Sequence, residues 1–210
     1  KLVGDLIEGL FRVALYFAFA AAVAAAIIYY YTRCVRSTVL VLACSLVAVL
    51  WQLGLVAAFG FEIDPYSILV PFLVFAIGVS HGVQKISAVT DAALEGLGPE
   101  EAARRTFRQL LLPAVIALLA DLVGFITILY IPVQVIQEMA ITASIGVAIV
   151  ILTDLVLLPV LVSFVTFAPG YRDRVARRQA MLARWWHGLG AITEKGPAAA
   201  IILIAVALGV

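Results

Sequence analysis

The stretch Leu110–Tyr130 reads LLLPAVIALLADLVGFITILY and contains a single charged side chain, Asp121. A helix needs about 20 consecutive apolar residues to cross a hydrocarbon core of about 30 Å, so this stretch predicts a transmembrane helix. Four further stretches have the same character, and another apolar run begins near Pro197. The sequence therefore predicts five complete transmembrane helices and the start of a sixth. The four further spans are Phe11–Tyr31, Ser37–Phe59, Tyr66–Ile86 and, approximately, Ile141–Val165.

The composition indicates a membrane protein, most of whose surface is surrounded by lipid. Hydrophobic residues make up 65% of the chain and charged residues 13%, whereas a soluble domain has about 45–50% and about 25%. The expected fold class is therefore all-α, a polytopic transmembrane helix bundle. A net charge of +1 leaves no basic face for a nucleic acid, which is not expected as a partner. Because the chain begins with Lys1 and stops at Val210 inside an apolar run, we expect a fragment of a longer protein.

The basic residues fall in alternate loops, and this pattern predicts the orientation of the chain. Loops rich in Lys and Arg face the cytoplasm, whereas the loops Gly60–Pro65 and Ile131–Glu138 contain neither residue. The first span then enters from outside, and residues 1–10 are predicted to be an extracytoplasmic approach helix. The basic residues are Arg33 and Arg36 in the first cytoplasmic loop, Lys85, Arg104, Arg105 and Arg108 in the second, and Arg172, Arg174, Arg177, Arg178, Arg184 and Lys195 in the third.

Two segments outside the spans are predicted to be helical. In residues 98–109, Pro99 stands at a first helical position, acids follow in the first turn and arginines come later. This pattern predicts a cytoplasmic connector helix. Residues 168–196 have an apolar stripe opposite an arginine-rich face, which predicts an amphipathic helix on the inner membrane surface. A helix packed on a neighbouring protein surface is the alternative. The predicted membrane-surface residues are Trp185, Trp186, Arg177 and Arg178.

Few polar side chains interrupt the spans, and they carry the functional information. Asp121 and Asp154 each fall about halfway along a span, where an ionised side chain costs about 2.5 to 3.5 kcal/mol. His81, preceded by Ser80, lies in the inner half of the third span. Histidine is the natural proton acceptor in this set, because its unperturbed pKa is about 6.5. Titratable groups on neighbouring helices suggest a proton relay, with these four residues as its candidates.

A structural role for the same residues is the alternative. Interhelical hydrogen bonds hold membrane bundles together, although they average only about 0.6 kcal/mol in a measured case. Ser80, His81 and the two acids could serve in this way. Asp154 could equally be a packing acid beside Thr153.

Small residues predict where helices approach one another closely. Gly78 and Gly82 form a G-x-x-x-G pair, and Gly124 is a further candidate packing position. The sequence contains no Gly-rich phosphate loop, no zinc-ligand spacing and no nucleophile elbow. An enzyme is therefore not expected, and neither is a metal or another cofactor.

Four short motifs occur in a characteristic order within residues 11–167. They are Pro71–His81 (PFLVFAIGVSH), Glu100-Glu101-Ala102 before Arg104 to Arg108, Gly124-Phe125, and Leu157-Leu158-Pro159. In this order they resemble the first half of the resistance-nodulation-division (RND) superfamily. The closer resemblance is to its MMPL and Patched-like branch, whose five-helix unit is a sterol-sensing-like domain.

The resemblance implies half of a transporter built from two such repeats, each with a large extracytoplasmic domain after its first helix. This chain would then hold helices two to six and the start of helix seven, so the missing second repeat and extracytoplasmic domains would be its partners. In many relatives the relay centres on an acid in the helix that matches the third span. Ser80 and His81 occupy that place here, so we expect the acid's role to have moved to Asp121, with His81 as its partner.

The expected function is the energy-coupling half of an RND/MMPL-type secondary transporter that exports hydrophobic, amphiphilic or lipid-like substrates from the bacterial inner membrane. Membrane lipid, such a substrate and protons as coupling ion are the expected partners, and the formation of a homo-oligomer is left open. A sterol-sensing-type lipid-binding receptor bundle without ion flux is the alternative. A mere anchor for extracytoplasmic domains is a third reading, which the acids within the membrane disfavour.

Overall fold

The computed structural model describes residues 2–61, 67–165, 170–190 and 195–208. All regular elements in these residues are helical, which confirms the predicted all-α fold class. In chain order they are α1 (Leu2–Thr32), α2 (Val35–Ala58), a 3-10 turn (Ser67–Leu69), α3 (Val70–Leu94), α4 (Pro99–Ile128), α5 (Gln134–Leu152), a π-helical segment (Thr153–Leu157), α6 (Leu158–Ser163), α7 (Tyr171–Gly190) and α8 (Lys195–Leu208).

Within the described residues, five helical stretches are long and apolar enough to cross a membrane, as predicted. The third and fourth are longer than expected at their cytoplasmic ends, because a helix continues past the last apolar residue of its span. Helix α3 extends to Leu94, and the predicted connector helix 98–109 is the first part of the continuous helix α4. The five stretches are Phe11–Thr32, Val35–Ala58, Ser67–Leu94, Pro99–Ile128 and Gln134–Ser163.

The chain divides into two compact units, Lys1–Phe167 and Ala168–Val210. In the first unit, α2 is central and packs on α1, α3, α5 and α6, while α4 packs on α3, α5 and α6. Two apolar clusters form its core. Along the last transmembrane stretch, Val150 belongs to one cluster and Leu158 to the other, and Asp154 lies between them in sequence.

The second unit contains α7 and α8. Helix α7 occupies the region where an amphipathic helix is predicted, and α8 lies where the sixth span is predicted to begin. Arg177 is exposed and Arg178 is half-buried. The side chains of Trp185 and Trp186 lie outside the part of the chain that the structure describes. Binding of α7 to the membrane surface therefore stays a prediction.

Two of the predicted packing glycines lie where α3 contacts α2. A methyl group added at Gly78 would lie 3.0 Å from Ser45 Oγ, and one added at Gly82 would lie 2.8 Å from Val41 Cγ1. Both distances are too short for ordinary contact, so these glycines allow the two helices their close approach. The contact fixes the position of α3, which carries His81 between the two glycines.

Two other glycines differ from the sequence prediction. Gly124 is exposed on α4, and a methyl group added there would meet no described atom within 4 Å, so its predicted packing role has no partner within the bundle. Gly146 of α5 was not predicted as a packing residue, but a methyl group there would collide with Val74 of α3. Sequence alone did not distinguish the face of a helix that meets a neighbour from the face that meets lipid.

Candidate functional site

The last transmembrane stretch changes its hydrogen-bond register around Asp154. From Thr153 to Leu157 it is π-helical, and the Leu158 N–H donates to the Thr153 carbonyl. In an α-helix the Asp154 carbonyl would accept from Leu158, and in a π-helix it would accept from Pro159, which has no N–H. The backbone carbonyl of Asp154 is therefore left without a donor from its own helix.

Lys85 of α3 supplies that donor. Its Nζ lies 2.5 Å from the backbone oxygen of Asp154, and only 6% of the residue is exposed. This position corrects the sequence analysis, which placed Lys85 in a cytoplasmic loop. Because α3 continues to Leu94, Lys85 lies inside the helix and its side chain points into the bundle. The orientation predicted for that loop still rests on the three arginines near the start of α4.

The Asp154 side chain is buried beside this contact. The residue is 1% exposed, and within the described part of the chain neither carboxylate oxygen has a hydrogen-bond partner. The Lys85 ammonium interacts with the carboxylate electrostatically, and Cys44 of α2 interacts with both groups. Since removing two charges from water is costly, such a pair persists in an apolar interior only when each charge offsets the other. Lys85 and Asp154 therefore form a buried acid–base pair.

The other relay candidates lie outside this pair. Asp121 is exposed on α4, and Ser80 is exposed on α3. His81 is half-buried and lies one turn before Lys85 on the same helix. It interacts electrostatically with Lys85 and with Asp121. The core of the bundle thus contains Asp154 with Lys85 rather than Asp121 with His81, and the relay role of each predicted residue stays a prediction.

A pocket of about 340 Å³ lies in the half of the first unit that is predicted to be extracytoplasmic. Helices α1, α2, α3 and α5 line it, and the ring of Phe17 lies 5.0 Å from that of Phe72 in its wall. Gln52 contributes to the lining although only 1% of it is exposed, and its Oε1 has no hydrogen-bond partner among the described residues. The pocket is thus mainly apolar and contains a buried polar acceptor.

These features define a multi-pass membrane bundle with buried polar groups in an apolar interior. In the described residues, no group of three or more His, Cys, Asp or Glu side chains could hold a metal ion.

Residues 34–167 match a protein family described as the sterol-sensing domain of SREBP cleavage-activation. The matched residues make up more than half of the 210-residue chain. The chain therefore belongs to the sterol-sensing domain family, which confirms the predicted five-helix sterol-sensing-like unit. The match includes α2 to α6 and with them Lys85 and Asp154. No match was found among curated protein sequences.

Sequence reasoning missed Lys85, although two signals pointed to it. Apolar residues continue at helical spacing beyond it, at Ile86, Val89 and Ala93, which indicates that the third helix does not end at the lysine. Pro159 follows Asp154 by five residues, which is the spacing that removes a π-helical donor. The first signal places Lys85 within the helix, whereas the second applies only to a π-helical register, which the sequence does not reveal.

Proposed function

We propose that this sterol-sensing domain unit couples proton movement to the transport of a hydrophobic, amphiphilic or lipid-like substrate. In this proposal it is the transmembrane energy-coupling half of an RND/MMPL-type secondary transporter in a bacterial inner membrane. The observation that carries the proposal is the buried pair of Lys85 and Asp154. Ionisable groups within a membrane are costly, and they commonly mark proton and ion paths.

Both partners of the pair have chemistry suited to proton coupling. The Asp154 carboxylate has two oxygens without a hydrogen-bond partner in the described residues, so it retains the capacity to accept a proton. Protonation would remove the negative charge that offsets the Lys85 ammonium. A buried cation without its counter-charge is unfavourable, so α3 and the π-helical segment would repack to expose it to water or to another acceptor.

The π-helical segment supports such a change of packing. π-helical turns inside α-helices frequently occur at functional sites. Here Thr153 to Leu157 contains the acid, and the same segment accepts the hydrogen bond from Lys85. A proton bound at Asp154 would therefore act directly on the contact between α3 and the last transmembrane stretch. This is how the unit would convert proton binding into helix movement.

The proposal is tested by proton flux through the full chain in liposomes that contain trapped pyranine, a pH-sensitive dye. An imposed pH gradient is expected to drive proton uptake faster than in protein-free liposomes. Uptake is expected to rise further with dehydroergosterol, a fluorescent sterol, in the bilayer. Flux at the protein-free level, both with and without the sterol, would contradict proton coupling.

A second candidate function is a lipid-binding receptor bundle without ion flux. The pocket near Phe17 and Phe72 favours it, because a mainly apolar pocket with a few buried polar groups, Gln52 among them, suits an amphiphile that has a hydroxyl group. Membership of the sterol-sensing domain family supports a sterol-like ligand for either function. Dehydroergosterol binding without proton flux would favour the receptor.

Replacing Gln52 with leucine is expected to weaken dehydroergosterol binding about tenfold, the equivalent of about 1.4 kcal/mol for one lost hydrogen bond. The substitution removes a buried amide oxygen that has no partner among the described residues, so it is not expected to destabilise the bundle. Energy transfer from tryptophan to the sterol measures the affinity. The matched control is Gln84→Leu on α3, outside the pocket, and equal affinity in Gln52→Leu and the unmodified chain would exclude this binding mode.

A further inference from the structure

A cavity of about 240 Å³ lies between α3 and α4. Three of its lining residues are polar and belong to α3, and we call this region the α3–α4 seam. Gln84 is exposed at the seam, His81 is half-buried, and Lys85 is buried at its inner end. The residues that define the seam are His81, Gln84, Lys85, Leu110, Pro113, Ala114 and Ala117.

Lys85 also lines a second, much smaller cavity of about 10 Å³. This cavity lies toward the end of the bundle that is predicted to be cytoplasmic, and Thr106 of α4 contributes to its wall. Thr106 is 3% exposed, and its Oγ1 has no hydrogen-bond partner in the described part of the structure. Lys85 therefore lies between the seam and this small cavity, whose surface is apolar.

The size and chemistry of the seam suit water. A buried water needs about 10 to 15 Å³ of free space and about 2 to 4 polar partners. In the seam, His81 and Gln84 add to the ammonium, which has three donors and gives one of them to the Asp154 carbonyl.

We propose that water enters the bundle along the α3–α4 seam and reaches the Lys85–Asp154 pair from that side. This inference rests on the proposed proton coupling, since the path would supply protons to the same acid. It also separates the roles of the predicted relay residues: His81 lines the entry, and Asp154 binds the proton.

Water access to the seam is tested by cysteine labelling of the full chain in liposomes. Cys34 and Cys44 are first replaced by serine and alanine, and Gln84→Cys is then treated with a charged, water-soluble methanethiosulfonate. Because the thiolate is the reactive form, a hydrated thiol is expected to react at least about tenfold faster than one in lipid. The matched control is Ile116→Cys, which lies at the depth of the seam on α4, is 58% exposed and does not line the cavity.

Equal labelling rates at Gln84→Cys and Ile116→Cys would overturn the seam as a water path. This result does not depend on proton flux, so it is distinguishable from failure of the proposed function. A dry seam combined with normal sterol-dependent flux would mean that protons reach Asp154 by another route. A hydrated seam without any flux would leave water access standing and contradict the proton coupling.

Discussion

Replacing Lys85 with methionine is expected to lower the free energy of unfolding of the bundle by about 3 to 5 kcal/mol, the order of the cost of leaving a buried charge without the opposite charge that offsets it. Two losses contribute. The Asp154 carboxylate loses the cation that offsets its charge, and the Asp154 backbone carbonyl loses the donor that its own helix does not provide. Unfolding of the purified chain by titration with SDS in mixed micelles measures the change.

A double variant separates these two losses. Lys85→Met combined with Asp154→Leu leaves no stranded charge, so most of the stability is expected to return. A deficit of about 1 to 3 kcal/mol should remain, because the backbone carbonyl at position 154 is still unsatisfied. Gln84→Met is the matched control, since it alters the neighbouring exposed side chain of α3. If Lys85→Met were no more destabilising than Gln84→Met, the lysine would not hold the bundle together.

Replacing Asp154 with asparagine is expected to reduce sterol-dependent proton uptake by about a hundredfold, in line with the loss of a positioned acid–base group. Asparagine is close to aspartate in size but does not accept a proton at neutral pH, so the path loses its binding step. Asp154→Glu retains an acid and is expected to recover part of the flux. The pyranine assay measures all variants, and size-exclusion chromatography checks that each is folded.

Two further aspartates serve as comparisons for this experiment. Asp91→Asn makes the same chemical change at an exposed position near the cytoplasmic end of α3 and is expected to leave uptake unchanged. Asp121→Asn is expected to reduce uptake less than Asp154→Asn, because Asp121 is exposed on α4. Full proton uptake in Asp154→Asn together with lost uptake in Asp121→Asn would show that Asp121, rather than Asp154, is the acid of the proton relay.

The number and character of the spans could be predicted from the sequence because the cost of exposing backbone and charge to hydrocarbon depends on composition alone. Helix ends were less predictable. The apolar run of the third span ends near Lys85, yet the helix continues to Leu94 because alanines and a leucine, which are good helix formers, follow it.

The candidate site was only partly predictable. Asp154 was recognisable as an acid within a span, but its burial depends on which face of α5 and the π-helical segment packs on α3. Asp121 gave the same signal in the sequence and is exposed in the bundle. A lysine near the end of a span commonly extends its ammonium to the interface, so only the packing of helices revealed that Lys85 points inward.

The hydrogen bond of Lys85 depends on the backbone conformation of the opposing helix. The bond goes to the main chain at residue 154, and it forms where Leu158 donates to Thr153. If the segment returned to the α-helical register, the Leu158 N–H would shift to the Asp154 carbonyl and compete with the lysine for it. The hydrogen bond of Lys85 therefore depends on whether this segment is π-helical or α-helical. A shift of one residue in the backbone hydrogen bonds of the segment would alter an electrostatic contact between two transmembrane helices.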